Sequence, residues 1–127
     1  MLTIRKVQID VIQESARKRL TTRIATCLRM HWTADFEEYG TEYCVQLIER
    51  AIDRANGYCF FTDREIARFV NLVFFLGEDF ESDPEFPWAA SILGNSKLNN
   101  RHKLDLLLQR GLAIYHASHE LSDESVG

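Results

Sequence analysis

Proline and glycine are both scarce in this chain: two prolines and six glycines among 127 residues, with the prolines at positions 84 and 87. That scarcity excludes collagen-like and Pro/Gly-rich disordered chains and leaves long stretches free to be helical. Long apolar runs are missing too. The longest, Phe69 to Gly77, is interrupted by Asn71 and is far shorter than the roughly 20 residues a membrane helix needs. The opening Met1-Leu2-Thr3-Ile4-Arg5-Lys6 has neither the apolar core nor the small-residue cleavage site of a secretory signal, so the expected location is the cytoplasm. The cysteines, Cys27, Cys44 and Cys59, are odd in number, widely spaced and set among apolar neighbours. No Cys-x-x-Cys pair is present, which leaves zinc and dithiol redox chemistry unsupported; three buried thiols acting as small hydrophobes are expected. Nor is there a glycine-rich phosphate loop, a GxSxG elbow or an HExxH pair.

What is present is the balance of an ordinary globular chain, 46% apolar and 27% charged, long enough to bury a core without disulfide or metal support. No repeat, low-complexity tract or Gly/Ser linker divides it. One helical domain is expected over residues 1–121, followed by a frayed polar tail at 122–127. The net charge of −4 hides a segregation. Residues 1–29 balance at +5, residues 30–90 at −9, and the remainder is neutral. Such separation can steer a charged partner, while the acidic middle would repel phosphates and argues against nucleic acid. It is equally compatible with a basic first helix lying across the acidic middle of the same fold.

The spacing predicts an all-α bundle of about five helices. A long amphipathic helix runs from about Lys6 to His31, with Ile12, Ala16, Leu20, Ile24, Cys27 and Leu28 on one stripe. Residues 33–40 read as a turn. A second helix spans Thr41 to Ala55, with Cys44, Leu47, Ile48, Ala51, Ile52 and Ala55 inward and Asn56-Gly57 as a left-handed stop. The third has the clearest start. Thr62 and Glu65 form a capping box, and Phe61 with Ile66 can add a hydrophobic staple. This helix continues to Gly77 and is apolar on nearly every side in its second half, which makes it the central element. An ordered acidic loop with Pro84 and Pro87 follows between the third and fourth helices. The fourth is short, Trp88 to Leu93, with Gly94-Asn95 after it. The last starts at the cap Asn99 and runs to about His119, with Leu104, Leu107, Leu108, Gly111, Leu112 and Tyr115 inward. No convincing alternating strand is present; the weak strand character there is falls on Leu2 to Arg5.

Three constellations invite a chemical reading, and each has a plainer one. The carboxylates Glu78, Asp79, Glu81, Asp83 and Glu85 offer the oxygen ligands of a hard cation. They lack the glycine and spacing of an EF-hand and are interrupted by Phe80 and Pro84, and a solvated acidic loop pinned by aromatic anchors is the simpler account. His116 and His119 share a helical face beside Glu120 but have no third ligand, since His102 lies about 20 Å away by helix rise. Cys27 and His31 stand one turn apart without a third group to orient the imidazole. No catalytic residue, metal or cofactor is therefore expected. The aromatic supply is more telling. Phe36, Tyr39, Tyr43, Tyr58, Phe60, Phe75, Phe80, Phe86, Trp88 and Tyr115 exceed what one inner face per helix needs. Phe75 and Leu72 fall opposite the Ile66/Val70/Val73 stripe. Either other helices surround the third one, or part of its surface meets another protein.

The run from Phe69 to Ala89 carries a short apolar helix followed by Leu-Gly-x-Asp-Phe-x-x-Asp-Pro-x-Phe-Pro-Trp-Ala. It resembles small helical proteins encoded in bacterial type VI secretion clusters, beside spike proteins, toxic effectors and effector adaptor chaperones. The similarity extends from about Thr62 to Gly111; the first helix matches only in character. The resemblance implies an accessory protein without enzymatic activity. It would be either a co-chaperone or adaptor partner that helps load an effector, or an immunity protein that neutralises one. The expected partner is thus an effector toxin or its adaptor chaperone, with no nucleic acid and no membrane. Asp79, Phe80, Asp83, Pro84, Phe86, Pro87 and Trp88 match the motif, and building the loop is an equal reason for them to be shared. Phe75, Asp79, Phe80, Asp83, Phe86 and Trp88 are the candidate partner-binding residues.

Overall fold

The computed structural model describes the backbone of residues 2–126 and the side chains of residues 14–114. Every regular element among them is helical. They are α1 (Leu2–His31), α2 (Thr33–Tyr39), α3 (Thr41–Gly57), α4 (Asp63–Leu76), a 3-10 turn (Phe80–Ser82), α5 (Pro87–Leu93) and α6 (Asn100–Val126). No helix among the described residues is long and apolar enough to cross a membrane. Leu2–Arg5 belongs to α1, not to a strand, and the tail expected from residue 122 has helical backbone as far as Val126. Contacts divide the chain into two compact units, Met1–Arg50 and Ala51–Gly127, with α3 running through the boundary.

In the first unit, residues 33–40 correct the expected turn. Trp32 breaks the helical path (φ −113°, ψ 47°), yet its carbonyl at once accepts from the N–H groups of Asp35 and Phe36, and a seven-residue helix follows. Asp35 in its first turn suits the positive end of the helix dipole. Phe36 is its one buried side chain, and α2 packs back on α1. Gly40, at φ +87°, ends α2 and lets α3 begin with the next residue. The stripe of α1 also shifts. Thr21, Ile24 and Leu28 are buried and Leu20 half-buried, whereas Ala16 and Cys27 are exposed; the side chain of Ile12 lies outside the described residues.

In the second unit, the end of α3 differs from the expected Asn56-Gly57 stop. Gly57 is still helical, and the left-handed residue is Cys59, at φ +67°. The Phe60 N–H donates to Ala55 O (2.9 Å) and the Cys59 N–H to Asn56 O (3.0 Å). This is a Schellman closure with the apolar contact that accompanies it, since Ala55 and Phe60 are both fully buried. A β-carbon in that conformation costs about 1–2 kcal/mol, which outweighs the extra chain entropy of glycine at about 0.5–1 kcal/mol. Cys59→Gly is therefore expected to raise stability by roughly 0.5–1 kcal/mol. An urea midpoint that moves down instead would show that the thiol contributes packing.

The capping box of α4 forms as expected. Glu65 N–H donates to Thr62 Oγ1 (3.2 Å), and Thr62 N–H donates to Glu65 Oε1 (3.3 Å). Burial nudges the Glu65 carboxyl up. Hydrogen bonds from the Thr62 N–H, the Asn100 amide, the Phe61 N–H and the Thr62 hydroxyl outweigh that effect and hold it below the usual range. The staple does not accompany the box, because Phe61 is 67% exposed. Asn99 caps α6 through the His102 N–H (2.9 Å), and the neighbouring Asn100 amide also donates to Cys59 O (2.9 Å). Asn100 thereby ties the start of α6 to the α3–α4 corner. Arg68 reaches from α4 to Asp105 of α6 (Nη2–Oδ1 2.6 Å) and holds that carboxyl below its usual range. Leu104 and Leu107 are fully buried, but Leu112 faces out at 39% exposure and the side chain of Tyr115 lies outside the described residues.

Candidate functional site

The acidic loop begins where α4 must stop. Gly77 takes φ +120°, and the chain drops into the 3-10 turn, whose amides find local carbonyls: Phe80 N–H to Gly77 O, Ser82 N–H to Asp79 O and Asp83 N–H to Phe80 O. Asp83 then organises the next step. Its Oδ1 accepts from the Glu85 N–H (2.9 Å) and its carbonyl from the Phe86 N–H (3.0 Å), a side-chain-closed turn that places Pro84 at the tip. Pro87 enters α5 at its first position, where a missing N–H costs nothing. The helix thus starts one residue before the expected Trp88.

Two anchors tie this loop to the core. Phe80 is fully buried, its ring 5.6 Å from that of Phe69. Beside it, Glu81 forms a two-point ion pair with Arg54 of α3: Nε donates to Oε1 at 2.6 Å and Nη2 donates to Oε2. The guanidinium carbon lies 5.9 Å from the centre of the Phe69 ring. The third nitrogen, Nη1, is buried and has no acceptor among the described residues. Tyr58 faces the same cluster, and its phenol is pushed up by burial and by Glu81 against an opposing pull from Arg54. Sequence reasoning missed Arg54. Its one trace is a cation between Ala51 and Ala55, flanking the inner face of α3.

The candidate partner-binding residues therefore separate. Asp79 is exposed, while Asp83, Phe86 and Trp88 are half-buried, with the Phe86 and Trp88 rings 5.6 Å apart. Phe80 has no exposed surface, so a contact role for it is corrected to a core role. Phe75 sits half-buried on α4 against α6, where a β-carbon at Gly111 would stand 3.0 Å from its Cε1. Leu72, its companion opposite the stripe, is buried at 2% exposure. Much of the aromatic surplus is thus spent on the core, where Tyr58, Phe60 and Phe80 all ring Phe69.

Glu78, Asp79 and Asp83 share an open concavity of about 560 Å³ with Gly77, Ser82 and Pro84. Among the described residues no three His, Cys, Asp or Glu side chains gather as a metal set. The side chains of His116, His119 and Glu120 lie outside the described residues. Two of the three thiols differ from expectation: Cys27 and Cys59 are exposed, and only Cys44 is buried. Burial, and then Asp35, push the Cys44 thiol up, the opposite of a nucleophile's setting. The His31 ring lies edge-on to Trp32 at 5.1 Å. The loop holds exposed carboxylates and a ring pair on an ordered backbone. Compared with protein families, curated proteins and solved structures, the chain matches none.

Proposed function

We propose that this chain is a non-enzymatic, protein-binding accessory protein of the cytoplasm, an effector-associated co-chaperone or adaptor partner in type VI secretion. The observation that carries the reading is the loop from Glu78 to Trp88. Its backbone is held by local hydrogen bonds and by two core anchors, while Asp79, Asp83, Phe86 and Trp88 keep surface for a partner. A preordered loop binds with little loss of conformational entropy, which favours recognition over a purely structural role. The motif's likeness to proteins encoded beside effectors and adaptor chaperones supplies the kind of partner.

Coexpression of the full chain with the product of each neighbouring gene tests this. A stable complex with a toxin or its adaptor is expected, and free monomer with every neighbour would refute it. The excess of carboxylates on and around the loop favours one second reading, an immunity protein whose acidic surface covers a basic toxin site. The two separate cleanly in cells. An immunity protein alone rescues cells that express the toxin, whereas a co-chaperone changes the toxin's yield or delivery without protecting them.

A further inference from the structure

Two tyrosines that the core does not use stand together where α2 meets α3. Tyr39 is 58% exposed and Tyr43 45%, with their rings 5.7 Å apart and tilted by 36°. Gly40 lies between them, so the last residue of α2 and the first turn of α3 present their rings as a pair. Glu37, Glu38 and Glu42 are exposed around them, and residues 33–46 contain no Lys or Arg. Carboxylates here also suit helix N-termini, as Asp35 and Glu42 do, and alone would indicate nothing. The ring pair is the independent observation. Tyrosine supplies large, stiff, amphipathic contact area at small entropic cost, and its face attracts a guanidinium or ammonium group.

We propose that this face is a docking surface for a basic polypeptide segment, whose Arg or Lys side chains lie over Tyr39 and Tyr43 and pair with Glu38 and Glu42. The inference rests on the protein-binding reading above and adds the partner's chemistry and a second contact region. Charge complementarity selects the occupant, since an acidic or phosphate-bearing partner would be repelled. The acidic loop is an internal comparison. It carries more carboxylates, but Phe80 is buried, Glu81 is committed to Arg54, and Phe86 and Trp88 are half-buried.

The test is titration of the isotope-labelled full chain with a blocked peptide of alternating arginine and glycine, read by amide NMR shifts. Shifts are expected to concentrate in residues 35–43 and to weaken with salt. Tyr39→Ala/Tyr43→Ala should weaken binding about fivefold or more, while Tyr39→Phe/Tyr43→Phe, which keeps the ring faces, should retain it. No binding, shifts concentrated at 78–88, or unchanged binding by the alanine variant would overturn the proposal. So would concentration-dependent shifts at 35–43 without peptide, which would assign the face to a second copy of this chain. A neighbour's product that copurifies equally with wild type and the alanine variant would sink this site and leave the proposed function standing.

Discussion

Phe69→Ala is expected to destabilise the second unit by about 3–5 kcal/mol, the usual range for emptying a large aromatic from a packed core. The upper part of that range applies because Phe69 is fully buried and its ring meets three others, those of Tyr58, Phe60 and Phe80. Those neighbours arrive on two different segments: the α3–α4 corner supplies Tyr58 and Phe60, and the acidic loop supplies Phe80. Relaxation into the void would have to move all of them together. Arg54 would also lose the ring face beneath its guanidinium. Against a total stability of about 5–15 kcal/mol for an ordinary domain, such a loss is severe. The chain has two tryptophans, Trp32 in the first unit and Trp88 in the second, so single-tryptophan variants report the two units separately. The urea transition seen by Trp88 should move furthest. Phe61→Ala is the control: at 67% exposure it should change stability by about 0.5 kcal/mol or less. A Phe69→Ala loss no larger than the control's would show that the ring cluster is not a cooperative core.

Much of the helical order was legible because its signals are local. Thr62 and Glu65 satisfy each other's amides within one turn, and Asn99 caps α6 in the same way, so a few residues determine each start. Where a decision depends on distant contacts, the pattern misleads. A seven-residue helix with Phe36 as its single buried residue leaves no periodicity to find, and Thr33, Asp35 and Gly40 imitate a turn. Asn56-Gly57 has the composition of a helix stop, but burying Phe60 against Ala55 requires the left-handed residue to be Cys59. Among the described side chains of α1, the covered face is made by Leu20, Thr21, Ile24, Ala25 and Leu28, so Ala16 and Cys27 keep an apolar look and an exposed position. The loop was recognisable as ordered and acidic. Which of its rings faces inward was not, because Phe80 meets Phe69 across eleven positions, and Glu81 meets Arg54 across 27.

That ion pair yields the second large effect. Glu81→Gln is expected to cost about 2–4 kcal/mol, somewhat below the range for a wholly buried pair because the Arg54 side chain keeps 23% of its exposure and Glu81 10%. The cost comes mainly from what is left behind. Arg54 would remain charged beside Phe69, with no acceptor for Nη1 among the described residues and a carboxylate no longer opposite its other nitrogens. Arg54→Leu leaves the converse problem, a carboxylate facing Tyr58 with its cation gone. Arg54→Leu/Glu81→Leu removes both charges and should recover much of the loss, giving a coupling energy of about 1.5–3 kcal/mol in the double-mutant cycle. Additive losses would mean that each side chain acts through its own packing. Tyr58 supplies a readout that packing alone would not move. Glu81 pushes its phenol up and Arg54 pulls it down, so ultraviolet titration should find Tyr58 ionising at lower pH in Glu81→Gln and at higher pH in Arg54→Leu. Amide exchange from Asp79 to Trp88 should quicken in both single variants, because the loop would hang from Phe80 and its own turns after losing its second anchor.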